Sequence, residues 1–153
     1  MATVKLLRRL GCRRGAELIE MALVLPLLLV LLAGIVDFAF LFQSYEVVTN
    51  AAREGARIGV LPGYGSAGVI QGRVAAYVAA SGLAGTPTTS VSNVTVSPGG
   101  GAPAFPAVQV SVDYTHQFVI LGPMMTLIGG SFMNSLTFTA SSTMRRELVF
   151  GGP

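Results

Sequence analysis

The chain has 153 residues, a formal charge of +3 and a mean hydropathy of +0.66, more apolar than an average soluble domain. The positive charge is local: Lys5, Arg8, Arg9, Arg13 and Arg14 all precede Ala16, and beyond that point five arginines face seven acids, a net −2. No basic patch is left for nucleic acid outside this leader, and with Cys12 the only cysteine, the remainder of the chain must fold without a disulfide.

A basic leader, residues 1–15, runs into an apolar stretch from Leu18 to Phe42 whose 25 residues carry only two charges, Glu20 and Asp37. As a helix it would be about 37 Å long, enough to cross a hydrocarbon core of about 30 Å with some tilt. The helix formers continue as an amphipathic pattern to about Gly59, so the helix is predicted to overshoot the bilayer by several turns. The cluster of cations ahead of the span places the N-terminus in the cytoplasm and residues 43–153 across the membrane. A cleaved signal peptide also begins with a basic region before an apolar run. Glu17 and Glu20 interrupt that junction, however, Met21–Val36 is long for such a run, and no clear A-x-A site follows it. An uncleaved single-pass anchor remains open beside cleavage ahead of the span.

The second option rests on Arg14-Gly15 followed by Ala16-Glu17-Leu18-Ile19-Glu20 and a long apolar helix, a pattern that resembles the type IV prepilins. Within that group, Ile19-Glu-Met-Ala-Leu-Val-Leu-Pro26, Gly34-Ile-Val-Asp-Phe38 and Asn50-Ala-Ala-Arg-Glu-Gly-Ala-Arg57 resemble the TadE-type pseudopilins of tight-adherence (Tad) pilus systems, over residues 11–60. The resemblance implies cleavage between Gly15 and Ala16 by a membrane prepilin peptidase, and places Glu20 at the fifth position of the mature chain. It further implies, as partners, the membrane, that peptidase, other pilins or pseudopilins and the Tad assembly platform. In assembled pilins the equivalent Glu meets a neighbour's N-terminus.

Physical chemistry supports such a role. A carboxylate at the centre of a membrane helix costs about 2–3 kcal/mol, and less near its end, so Glu20 invites a partner. Cleavage would supply one, an α-ammonium of pKa about 7.7–8.0, four residues away at Ala16. A Glu20 resting at the headgroup level is the plainer alternative.

Pro26 removes one backbone donor and is expected to kink or loosen the helix. Asp37, roughly 28 Å beyond Leu18, falls at the far interface, where its charge would reach water or meet another subunit. Further on, Ala51, Gly55 and Gly59, and Ala52 with Ala56, form a ridge of small residues on which another backbone can pack closely. Arg53, Glu54 and Arg57 lie beside it. They form either a solvated edge of a helix packed on its own domain or a second set of intersubunit contacts.

Leu61-Pro-Gly-Tyr-Gly-Ser66 reads as a helix stop and hinge. Its G-x-G-x-x-G match at Gly63–Gly68 lacks the preceding strand and following acid of a dinucleotide site. Val69–Ser81 carries apolar residues at helical spacing and ends at Gly82, a candidate C-cap. Thr86–Ser90 is expected to be a polar loop. Val91–Val96, Ala107–Tyr114 and Leu136–Met144 alternate apolar and polar residues as half-buried strands do, with a Gly-Pro-rich connection at 97–103 between the first two. The apolar segment Phe118–Gly129 is too short and interrupted for an ordinary span. It is expected to be a short helix or loop over the sheet, with a membrane-surface segment as the alternative, and residues 149–153 are expected to fray.

The expected fold is therefore α+β and pilin-like: a leader at 1–15, a transmembrane and stalk helix at 16–60, and an extracytoplasmic domain at 61–153. That domain holds a second helix and a three- to four-stranded antiparallel sheet. His116, the only histidine, stands at a strand end, and beyond residue 60 the acids are Asp113 and Glu147 alone. These give no catalytic constellation, and no cofactor, metal, nucleic acid or small-molecule substrate is expected. The function expected from the resemblance is that of a minor pilin or pseudopilin in Tad pilus biogenesis, seated in the bacterial inner membrane. A membrane-anchored scaffold of an envelope complex is the alternative.

Overall fold

The computed structural model describes residues 13–100, 102–127 and 134–146. Residues 1–12 of the basic leader, the end of the 118–129 segment, Glu147 and the 149–153 tail lie outside the described residues. The fold is α+β, with a long apolar N-terminal helix, a second helix and a three-stranded antiparallel sheet. The elements are α1 (Arg13–Gly59), α2 (Ala67–Ala80), β1 (Thr88–Val96), β2 (Phe105–Gln117), α3 (Leu121–Leu127) and β3 (Ser135–Arg145).

Helix α1 is 47 residues long and continues through Pro26. From Ala16 to Leu32 it is bare except for half-buried Val30, and from Ala33 on it is buried along one stripe, at Ala33, Asp37, Ser44, Val48, Ala51, Ala52, Gly55, Ala56 and Gly59. These spacings of three, four and seven keep one face turned to a neighbour. The neighbour is the chain's own sheet and second helix. Central strand β2 pairs antiparallel with β1 on one side and β3 on the other, Val110 facing Val91 and Ser142. Alternation along β2 sends Val108, Val110, Val112 and Tyr114 to the inner face, where they meet Val48, Ile70, Val74 and Val78 in one core. Burying each of these aliphatic side chains stabilises the domain by about 1.5–3 kcal/mol before chain entropy is counted.

Element bounds need adjustment. Thr88, Thr89 and Ser90, expected in a loop, extend β1 because they pair with Asp113, Val112 and Ser111; β-branched Thr suits a pleated strand. Strand β2 correspondingly runs from Phe105 to Gln117, and helix α2 begins at Ala67. The small-residue ridge is occupied from within the chain, since Ala51, Ala52 and Ala56 are fully buried in the domain core. Gly82 does end α2, at φ 77°, with its N–H donated to the carbonyl of Ala79.

The close approach at the ridge is testable with two glycines. A β-carbon on Gly55 would stand 2.7 Å from Cγ2 of Val74 and 3.2 Å from Cγ1 of Val110, both stiff, buried side chains. Gly55→Ala should destabilise the detergent-solubilised protein by about 1–3 kcal/mol in denaturant titration, the usual cost of overpacking. Gly72, in α2 with nothing within 4 Å of its virtual β-carbon, should on changing to Ala raise stability by up to about 1 kcal/mol.

Candidate functional site

Three places on α1 carry chemistry: its beginning, its middle at residues 37–44, and its last two turns. At the beginning, Gly15 and Ala16 lie in the first helical turns and Glu20 one turn further on, exposed among the bare apolar side chains of Leu18, Ile19 and Met21. The segment Gly15–Gly59 is long and apolar enough to cross a membrane. Pro26 sits inside it and leaves the carbonyl of Ala22 without its usual helical donor.

At residue 37 the structure differs from an aspartate that reaches water. The Asp37 side chain is fully buried. Its Oδ1 accepts hydrogen bonds from the backbone N–H groups of Val119 and Ile120, both at 3.2 Å, and its Oδ2 from those of Ile120 at 3.1 Å and Leu121 at 2.6 Å. Those amides open helix α3, whose first donors have no partner within their own helix. One carboxylate on α1 thus caps a segment 82 or more residues away in sequence. Burial of an ionised group is tolerated when several donors surround it, as they do here.

Two turns along, Ser44 and His116 meet. Ser44 Oγ lies 3.1 Å from His116 Nδ1 and donates to the carbonyl of Phe40 at 2.9 Å. A serine hydrogen given to Phe40 pairs with the His116 tautomer that donates from Nδ1; Nε2 is buried and has no partner among the described residues. Asp37, Ser44 and His116 are the residue types of a nucleophilic triad, yet this arrangement cannot work as one. The Asp37 oxygens are taken by the backbone amides of residues 119–121 and make no hydrogen bond to His116, so the carboxylate does not orient the imidazole. Burial pushes the His116 imidazole below its ordinary pKa, with the charge of Asp37 opposing. His116 packs edge-on against Phe118, whose ring meets Phe38 in the same way. The cluster is a fastening between the end of β2 and the middle of α1. A cleft of about 590 Å³ opens beside it, lined by Phe40, Gln43, Gly82, Tyr114 and Gln117 among others.

In the last two turns of α1, Glu54 receives Arg57 through paired 2.8 Å hydrogen bonds and Arg73 of α2 at 3.0 and 3.2 Å. Hydrogen bonding from Arg57 is the largest influence on the Glu54 carboxyl and, with Arg73, holds it down to about 2 against partial burial. Arg73 has no counterpart among the sequence-predicted site residues; its place opposite Glu54 depends on the α1–α2 turn, which no spacing rule supplies. Arg53 stays exposed. Among the described residues, no group of three or more His, Cys, Asp or Glu is placed to hold a metal ion.

Two outcomes are expected. Asp37→Ala strands three amides, at about 1–3 kcal/mol for each buried donor without an acceptor. Hydrogen exchange should accelerate at residues 119–121 while the β2 amides of Val110 and Val112 keep their protection. The Glu54 carboxyl titrates lower in the folded than in the unfolded chain, where its pKa is about 4.3. Its stabilising contribution is therefore complete above that pH and lost as the pH falls towards 2. The thermal midpoint of Glu54→Gln should lie below that of the parent at pH 7 and converge with it near pH 2.

Neither a curated protein nor a solved structure matches the chain. A family model does, and it covers the helix that holds Glu20, Asp37 and Glu54: residues 15–57 match the family described as TadE-like protein.

Proposed function

We infer that the chain is a pseudopilin, or minor pilin-like subunit, of a Tad-type pilus and secretion machine. The observation that carries the reading is the TadE-like match over residues 15–57, a family associated with Tad pili and with an N-terminal membrane helix. Among the described residues one helix is long and apolar enough to cross a membrane, which agrees with a single-pass membrane-anchored protein. In this reading the chain inserts with its basic leader in the cytoplasm, and a prepilin peptidase cuts between Gly15 and Ala16. The new α-ammonium then lies within one turn of Glu20, whose carboxylate becomes available to the N-terminus of a neighbouring subunit.

Loss of the five leader cations also removes the strongest hold on the cytoplasmic face, since charged side chains cross the bilayer centre only at a cost of about 2.5–3.5 kcal/mol each. Processing would in this way license movement of α1 along the membrane normal. The exposed Arg53 and the Glu54–Arg57 pair would be available for contacts with other subunits or the assembly platform, whereas the buried carboxylate of Asp37 serves the subunit's own domain.

The N-terminus and intact mass of the protein, taken from cells with and without the peptidase, test this directly. The expected result is a chain beginning at Ala16 only where the peptidase is present. Glu20→Ala should insert into the membrane and be processed, yet fail to co-purify with partner pilins. A chain that keeps its leader in both strains would leave an uncleaved membrane scaffold as the function.

A further inference from the structure

We propose that the domain makes a second membrane contact: the segment Phe118–Leu127 sits in the interfacial region of the bilayer, beside the span, in the leaflet facing the domain. The proposal rests on reading α1 as a membrane span and adds where the domain lies relative to the lipid.

Depth along α1 is the first observation. Twenty helical residues cross a hydrocarbon core of about 30 Å, so a span that starts near Leu18 ends near Asp37. Burial on α1 begins at Ala33, one turn before that point, inside the apolar stretch. The Asp37 carboxylate fixes the backbone of residues 119–121 at this level through four hydrogen bonds. A segment fastened there cannot stand clear of the lipid while the span is in place.

Chemistry at that level is the second. From Phe118 to Leu127 the sequence Phe-Val-Ile-Leu-Gly-Pro-Met-Met-Thr-Leu has no charged residue. Val119 is 65% exposed although its neighbours in the chain are held in place. Irregular backbone is tolerated at membrane depth only where its polar groups are satisfied by protein. The amides of 119–121, donated to Asp37, meet that requirement.

The surroundings are the third. Phe38, Phe40, Phe42 and Tyr45 are exposed on α1 over the two turns that follow Asp37, about 10 Å of rise, and Tyr45 among them is of the kind enriched at membrane interfaces. Exposed polar side chains first reappear on α1 beyond Glu20 at Gln43 and Glu46. Between α1 and the start of β3 runs a groove of about 400 Å³ lined by Phe38, Leu41, Phe42, Tyr45, Leu136 and Phe138, all apolar or aromatic. Its apolar lining begins at Phe38, next to the end of the span, and adds to the apolar surface at the interface.

The chain contains no tryptophan, so single Trp variants of the full protein report depth cleanly. Val119→Trp, Leu28→Trp and Ser92→Trp would be reconstituted in phosphatidylethanolamine–phosphatidylglycerol vesicles carrying lipids brominated near the headgroup or near the chain end. Leu28→Trp in mid-span should be quenched most by the deep bromines. Ser92→Trp, on the outer sheet face, should be unquenched. Val119→Trp should be quenched most by the shallow bromines, by at least half of its emission. Val119 is exposed, so the larger side chain displaces no core residue; Thr126→Trp, also exposed, should respond in the same sense and guards against a local disturbance at residue 119. Quenching of Leu28→Trp with none at Val119 and Thr126 overturns this proposal and leaves the span intact. If emission at 119 is blue-shifted, unquenched and dependent on protein-to-lipid ratio, a second copy covers the segment and the proposal again fails. Absence of quenching at Leu28 overturns the membrane reading itself.

Discussion

A carboxylate buried at the edge of an apolar span, with only backbone amides to satisfy it, sets the arrangement of this molecule. Asp37 accepts from Val119, Ile120 and Leu121, and these donors come from the connection between β2 and β3. An ionised group at that depth without partners would be costly, and so would the free amides at the start of a short helix. Each deficiency is met by the other. The consequence is a domain fastened to its helix below its own core, at a level set by one residue, with the Ser44–His116 contact and the edge-on Phe38–Phe118–His116 ring contacts holding the next two turns in register.

Helix α1 therefore belongs to two environments. From Met21 to Leu32 its side chains are apolar and, half-buried Val30 aside, exposed. From Ala33 to Gly59 one face is a component of the folded domain, and the small residues at 51, 52, 55, 56 and 59 allow α2 and the sheet to approach its backbone. The inner face of β2 supplies the valines that complete this contact. The outer face of the sheet is lined instead by Ser111, Asp113, Thr115, Thr137, Thr139 and Ser141, with Thr139 donating to Asp113 and Thr115 paired with Thr137.

Much of this was legible in the residues because it follows from periodicity. The apolar run, the helical spacing of Ile70, Val74 and Val78, and the alternation along Val108–Tyr114 each depend on a local repeat that burial then uses. Contacts between distant segments were not legible. Distance along the helix from Leu18 placed Asp37 at the interface, with its charge in water or on another subunit; its partners are instead main-chain amides of the same chain, which any sequence possesses. Glu54 and Arg57, three residues apart on one helix, were visible as neighbours; Arg73 was not, since its approach depends on how α2 folds back. The ridge of small residues signalled close backbone packing correctly in kind, but sequence cannot say whether the approaching element belongs to the same chain.

The grip of the domain on α1 has a mechanical corollary. Because the fastening begins at Ala33, Pro26 lies in the bare portion of the helix, and everything beyond it moves as one piece. From Pro26 to Gly59 the helix measures about 50 Å at 1.5 Å per residue. On such a lever, a change of about 10° at a proline hinge sweeps the far end through roughly 9 Å. A small angular adjustment in the apolar half of the helix would thus be magnified into a displacement of the sheet domain comparable to the spacing of packed helices.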